Sequence, residues 1–172
     1  MPRIFTRARR VFSAGLRLTL LAPMMSGTAA QAGAPTLCQA DEPIWFSCAV
    51  GPTRIVSLCG THDALQYRFG TPQRVELRYP ASANTSPRAF RWAHHSRFQA
   101  DRTEVSFHNQ GVDYTLFDYT EAGRREAGVD VAPGRRLPCT QTPQGRLDQL
   151  KGKLPCDEDS ALNLGHCPNT AE

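Results

Sequence analysis

From Ile44 onward apolar and polar positions come in short runs of five to seven residues, many of them β-branched or aromatic, bounded by glycine and proline. Such runs predict strands, since a strand turns successive side chains to opposite faces and a helix repeats only every three to four residues. Ile44 to Val50 and Arg54 to Cys59 flank Gly51-Pro52 and form a first hairpin. Leu65 to Phe69 and Val75 to Tyr79 flank Gly70-Thr71-Pro72, and strict alternation sets Tyr67 and Phe69 on one face and Gln66 and Arg68 on the other. Residues 80–88 carry no apolar period and hold two prolines, which predicts an exposed loop of the kind that often carries function. A strand over 89–93 follows, with Phe98 further on.

Thr103 to His108 and Val112 to Tyr119 flank Asn109-Gln110-Gly111, where Gly111 supplies the positive φ of a tight turn. A last hairpin runs from Ala127 to Val131, through Pro133-Gly134, to Cys139. Sequential hairpins imply an antiparallel meander, and its edges must be closed or covered. The expected fold is all-β: a small meander closing as an eight-stranded barrel or barrel-like sandwich over residues 33–140. Residues 141–172 form a partly ordered C-terminal tail. Within it, residues 144–154 predict one or two helical turns with Leu147, Leu150 and Leu154 on one face.

Ahead of the strands, Arg3, Arg7, Arg9 and Arg10 precede an apolar stretch from Val11 to Met25 and a small-residue run around Ala30 and Ala32. That is the plan of a secretory signal peptide over residues 1–32, cleaved after Ala32. Its uncharged runs fall short of the roughly 20 residues that span a bilayer, and no small residue directly precedes Cys38 as a lipid anchor would require. The expected location is periplasmic or secreted, with no membrane anchor.

This segment changes the meaning of the charge. The chain has 20 Lys and Arg against 16 Asp and Glu; residues 1–32 hold five of the arginines and no acid, so the remainder is 15 minus 16, or −1. A near-neutral surface gives no concentrated basic face for phosphate, and nucleic acid is not an expected partner. All six cysteines, Cys38, Cys48, Cys59, Cys139, Cys156 and Cys167, lie beyond the segment, and an even number in an exported chain predicts disulfides. No pair has the short spacing of a zinc site, so no metal is expected. Strand register favours Cys38 with Cys59 and Cys48 with Cys139, leaving Cys156 with Cys167, among the many pairings that six cysteines admit.

Candidate chemistry is sparse. His94 and His95 are neighbours on a strand and point to opposite faces, which argues against a shared ion. No G-x-S-x-G elbow marks a nucleophilic serine. Asp113, Asp118, Glu121 and Glu126 include carboxylates that a glycan hydrolase would need in pairs, but their spacing equally suits strand surfaces. Asp157-Glu158-Asp159 lacks the glycine and later glutamate of a calcium loop. Trp45 and Trp92 are assigned to the core. Tyr119 to Glu126 joins two strands and mixes an aromatic, both charge signs and a glycine, a composition suited to protein recognition; Tyr119, Glu121 and Arg124 are its candidate contact residues.

Phe46-Ser47-Cys48, Val56-Ser57-Leu58-Cys59, Tyr67-Arg68-Phe69-Gly70, Tyr79-Pro80, Val105-Ser106-Phe107 leading to Gly111 and Tyr114, Glu126-Ala127-Gly128-Val129 and Leu137-Pro138-Cys139 resemble a group of small, uncharacterised exported proteobacterial proteins, over residues 38–140. That plan is similar in turn to the periplasmic lysozyme inhibitors, which present a loop to a muramidase cleft. The inhibitors' Ser-Gly-x-x-Tyr type loop has no match here, so their functional residues do not carry over. The resemblance implies a non-enzymatic binding protein without cofactor, an inhibitor of or immunity protein against a peptidoglycan hydrolase. The alternatives are an envelope-associated structural module without a partner enzyme, and a small cell-wall hydrolase using the acids between Asp113 and Glu126.

Overall fold

The protein is described by a computed structural model covering residues 34–82, 87–163 and 167, so the expected signal peptide over residues 1–32 lies outside the described residues. Among the described residues ten strands form two antiparallel sheets: β1 (Ile44–Ala49), β2 (Ile55–Cys59), β3 (Gln66–Thr71), β4 (Arg74–Tyr79), β5 (Arg91–Arg97), β6 (Ala100–Asn109), β7 (Val112–Glu121), β8 (Arg124–Val131), β9 (Arg135–Pro138) and β10 (Gln144–Gly145). The first sheet has the order β10-β1-β2-β3-β4 and the second β5-β6-β7-β8-β9. All-β structure and sequential hairpins match the alternation in the sequence. The ladders do not close into one barrel, because β4 and β5 end separate sheets and the chain passes between them through residues 80–90.

The sheets share one core, which Phe46, Val56, Leu58 and Tyr67 enter from the first sheet and Val105, Phe107, Leu116 and Val129 from the second. Phe107 is its hub, with ring centroids 4.9 Å from Tyr67, 4.5 Å from Tyr79, 4.8 Å from Tyr114 and 5.4 Å from Phe90. These offset and edge contacts suit the ring quadrupoles. Trp45 and Trp92 pack at the core's margin, each indole N–H donating to a backbone carbonyl, Gly60 O at 2.6 Å and Leu147 O at 3.3 Å.

Three disulfides staple the fold: Cys38–Cys59, Cys48–Cys139 and Cys156–Cys167, the pairs that strand register favours. Such bonds suit an oxidising compartment. Among the described residues no helix is long and apolar enough to cross a membrane. Cys38–Cys59 pins residues 35–42 over the outward face of the first sheet. There Ser47 Oγ donates to Pro35 O at 2.9 Å, and Arg68 reaches both Leu37 O and Glu42.

The expected helical tail is a correction. Residues Leu147–Leu150 make one 3-10 turn, and no α-helix occurs among the described residues. Leu147, Leu150 and Leu154 are indeed buried together, but Gly145, Gly152 and Pro155 interrupt the segment too closely for a helix to propagate. The tail instead runs alongside β5 and covers that edge: Trp92 N donates to Pro155 O at 2.8 Å and Asp157 N to Trp92 O at 2.9 Å. A covered edge strand cannot recruit another chain.

Candidate functional site

With Val105, Leu116 and Val129 turned into the core, the alternate residues of β6, β7 and β8 face outward. Register sets them in rows: Arg102 beside Tyr119 and Glu126, Glu104 beside Phe117, Gly128 and Pro138, and Ser106 beside Thr115, Asp130 and Arg136. Arg102, Tyr119, Glu121, Arg124, Glu126 and Arg136 line an open hollow on this face. The three candidate contact residues, Tyr119, Glu121 and Arg124, thus fall in one place. The structure corrects their setting: Tyr119 and Glu121 end β7 and Arg124 starts β8, so the expected loop is only the two-residue turn Ala122-Gly123. Both turn residues have positive φ, 45° and 79°, the backbone of a tight hairpin that follows the strands' twist.

Beneath the hollow lies Phe117, an aromatic on the outward face that is nonetheless fully buried. Three features bury it. The Arg136 guanidinium sits 4.0 Å from its ring centroid, the Tyr119 ring lies 5.3 Å away, and Gly128 opposite has no side chain to displace it. A cation over a ring face is attracted by the ring's quadrupole, and the arginine stem adds apolar cover. Arg136 also reaches Glu126 at 3.2 Å and Asp130 at 3.4 Å.

The hollow's other groups are fixed by one another. Arg102 donates to Glu121 and lies 5.3 Å over the Tyr119 ring. The Tyr119 hydroxyl donates to Glu104, whose other oxygen accepts from Ser160 Oγ of the tail at 3.0 Å. Burial, then the bonded Glu104 carboxylate, push the Tyr119 phenol well above its ordinary range, so it stays protonated and donates throughout the working pH range. The bonded Glu121 carboxylate likewise holds Arg102 in its charged form. Arg124 is exposed and makes no ion pair among the described residues.

The acids that a hydrolase reading would use are dispersed. Asp118 faces inward, bonded by Arg125 at 2.7 and 2.8 Å; Asp113 sits on His108 beside the β6–β7 turn; Glu121 and Glu126 are held by Arg102 and Arg136. His94 stacks on Trp92 and meets Asp101 at 3.1 Å. Asp157 accepts from Ser106 and from Asp159 N. Cys38, Glu42 and Cys59 have the proximity of metal ligands, but both sulfurs are in a disulfide and the carboxylate is on Arg68.

Phe117 and Arg136 were legible only in part. Alternation across Asp113, Thr115, Phe117 and Tyr119 marks an aromatic on a polar face, whereas Arg136 comes from the following hairpin and needs the register of three strands. The fold and site together define a disulfide-stapled, two-sheet β domain with an arginine- and tyrosine-lined hollow. No protein-family model, curated protein or solved structure matches the chain.

Proposed function

We propose that this protein is an exported, non-enzymatic binding protein that inhibits, or gives immunity against, a peptidoglycan hydrolase of the lysozyme type. It reaches the periplasm or the medium after cleavage following Ala32. The observation that carries the reading is the convergence of Tyr119, Glu121 and Arg124 in one hollow on a rigid sheet. Groups held in place before docking lose little entropy on docking. Carboxylates already bonded by arginines favour recognition over acid–base chemistry, which needs a carboxyl free to exchange its proton. Three disulfides fit an extracytoplasmic life.

The test is titration of the purified mature protein into c-type, g-type and i-type lysozymes acting on bacterial cell walls. Saturable inhibition of one class is expected, with Glu121→Ala and Arg124→Ala each weakening it about tenfold, the scale of a contributing interface residue. Lysis of walls by the protein itself would replace the reading with a hydrolase. No effect in either direction would leave an envelope-associated module without a partner enzyme.

A further inference from the structure

Phe98 is the one large apolar side chain left open among the described residues, 87% exposed. It occupies the two-residue turn between β5 and β6, where Arg97 pairs with Ala100. The next residue, Gln99, has φ 59°, and its carbonyl accepts the N–H of Ala122 at 2.8 Å. Ala122 itself has φ 45°. Two hairpin tips, each holding a non-glycine residue in the left-handed region, are therefore bonded into a single ledge. That backbone is the one tight hairpins take, and the bond between the tips holds Phe98 and the β7–β8 turn together. Arg97 and Arg124 flank the ledge, and neither makes an ion pair among the described residues, whereas the neighbouring Arg102 and Arg125 are bonded to Glu121 and Asp118.

We infer that this ledge is the anchor of the binding face: Phe98 enters an apolar pocket on the partner, and Arg97 and Arg124 meet carboxylates at its rim. The inference rests on the proposed hydrolase-binding reading and deepens it. An isolated aromatic on a stiff support suits a protein pocket, where burial of one ring is worth about 10- to 100-fold in affinity. A membrane would gain little from one ring and two cations, since stable anchoring takes more apolar chain or a larger basic cluster. Charge complementarity selects an acidic rim, because both arginines beside the ring lack a carboxylate of their own among the described residues.

The experiment repeats the inhibition titration with Phe98→Ala, Phe98→Leu and the double variant Arg97→Ala/Arg124→Ala, on whichever lysozyme class the wild type inhibits. In parallel, each protein is sedimented with vesicles of phosphatidylglycerol and phosphatidylethanolamine. Phe98 touches little of its own fold, so thermal midpoints should match the wild type and certify folding. The expected result is at least tenfold weaker inhibition for Phe98→Ala, partial recovery for Phe98→Leu, and a flatter salt dependence for the double variant. Inhibition within twofold of wild type for Phe98→Ala would overturn the anchor and leave the hollow as the binding site. Phe98-dependent sedimentation with vesicles would assign the ledge to a lipid surface and overturn it equally. A wild type inactive on all three lysozyme classes would remove the hydrolase reading, and the anchor with it.

Discussion

Replacing Glu42 by glutamine tests what holds residues 35–42 against the first sheet. Arg68 is 4% exposed on β3, and a buried guanidinium is tolerated only if charge and donors are both answered. Glu42 answers the charge in a fork, taking Nη1 at 2.5 Å and Nη2 at 2.6 Å, while Leu37 O takes Nη1 at 2.9 Å and Gln66 takes Nε at 2.9 Å. Glutamine keeps the size and one acceptor, but removes the charge and turns an NH₂ toward the fork. Losing one partner of a buried pair costs about 3–5 kcal/mol, and partial exposure of Glu42 brings the expectation to about 2–3 kcal/mol. On a domain of this size that lowers the thermal midpoint by roughly 10 °C. Urea unfolding with the disulfides intact, followed by the fluorescence of Trp45 and Trp92, reads the change directly. A loss under about 0.5 kcal/mol, in the range of an exposed pair, would refute the account of Arg68.

The pH dependence supplies a signed check on the same variant. The Arg68 hydrogen bond is the main cause holding the Glu42 carboxyl below its ordinary 4.5. A carboxylate whose folded pKa is depressed contributes stability that is complete above its unfolded value and is lost as pH falls through the folded one. The gap between wild type and Glu42→Gln should therefore be constant from neutrality to about pH 5 and narrow below 4.5. A gap that widens with acid would show that Glu42 is not the group concerned.

Two further perturbations address the scaffold of the hollow. A Cβ at Gly128 would lie 2.4 Å from Leu137 O and 2.9 Å from the Phe117 ring, so Gly128→Ala should cost about 2–3 kcal/mol in urea unfolding. Gly123→Ala meets nothing within 4 Å and should cost only about 1 kcal/mol, from its positive φ. Equal losses would mean that close packing under Phe117 is not what requires glycine at 128. Among the disulfides, Cys48–Cys139 spans 91 residues and Cys38–Cys59 spans 21. Chain entropy assigns them about 4.6 and 3.4 kcal/mol respectively. Paired serine replacements compared by urea midpoint should keep that order; the reverse would place the weight on contacts made by residues 35–42 in the folded state.

The hairpins were legible because a strand's period of two is written in adjacent residues. The Gln110-Gly111 and Ala122-Gly123 turns sit where the apolar pattern lapses. Alternation says which face a residue joins but not which strand lies beside it, so nothing local distinguished one closed sheet from two. The division falls between Tyr79 and Arg91, in the segment singled out as a possible functional loop, which is the passage between sheets. The leucines of the tail have helical spacing by coincidence of burial, as the breaking residues at 145, 152 and 155 attest. Arg68 was placed on the outward face by its alternation with Tyr67, but its partner Glu42 lies 26 residues away, ahead of the first strand. The Tyr119 to Glu126 segment was found by composition alone; the ledge was missed because Phe98 lay beyond the strand read over 89–93 and nothing local joins that turn to Ala122.

Each sheet has one face in the core, and the two outward faces meet different fates. On the first, residues 35–42 occupy the outward surface, tied by Cys38–Cys59 and by Arg68. On the second, the tail takes only the β5 side, where Asp157 meets Ser106 and Ser160 meets Glu104. From Glu104 onward the remainder is open, and Tyr119 is the point at which the covered part hands its order to the uncovered part, since Glu104 holds its hydroxyl. Here Arg102 is bonded to Glu121 and Arg136 to Glu126 and Asp130 over a buried Phe117. Arg97 and Arg124, like Arg91 and Arg135, make no ion pair among the described residues, and the first two stand at the hairpin tips that carry the open Phe98. The proposed binding face is thus the part of the second sheet that the tail leaves uncovered, ordered by Phe117, Arg136 and Glu104 and ending at the open ring of Phe98.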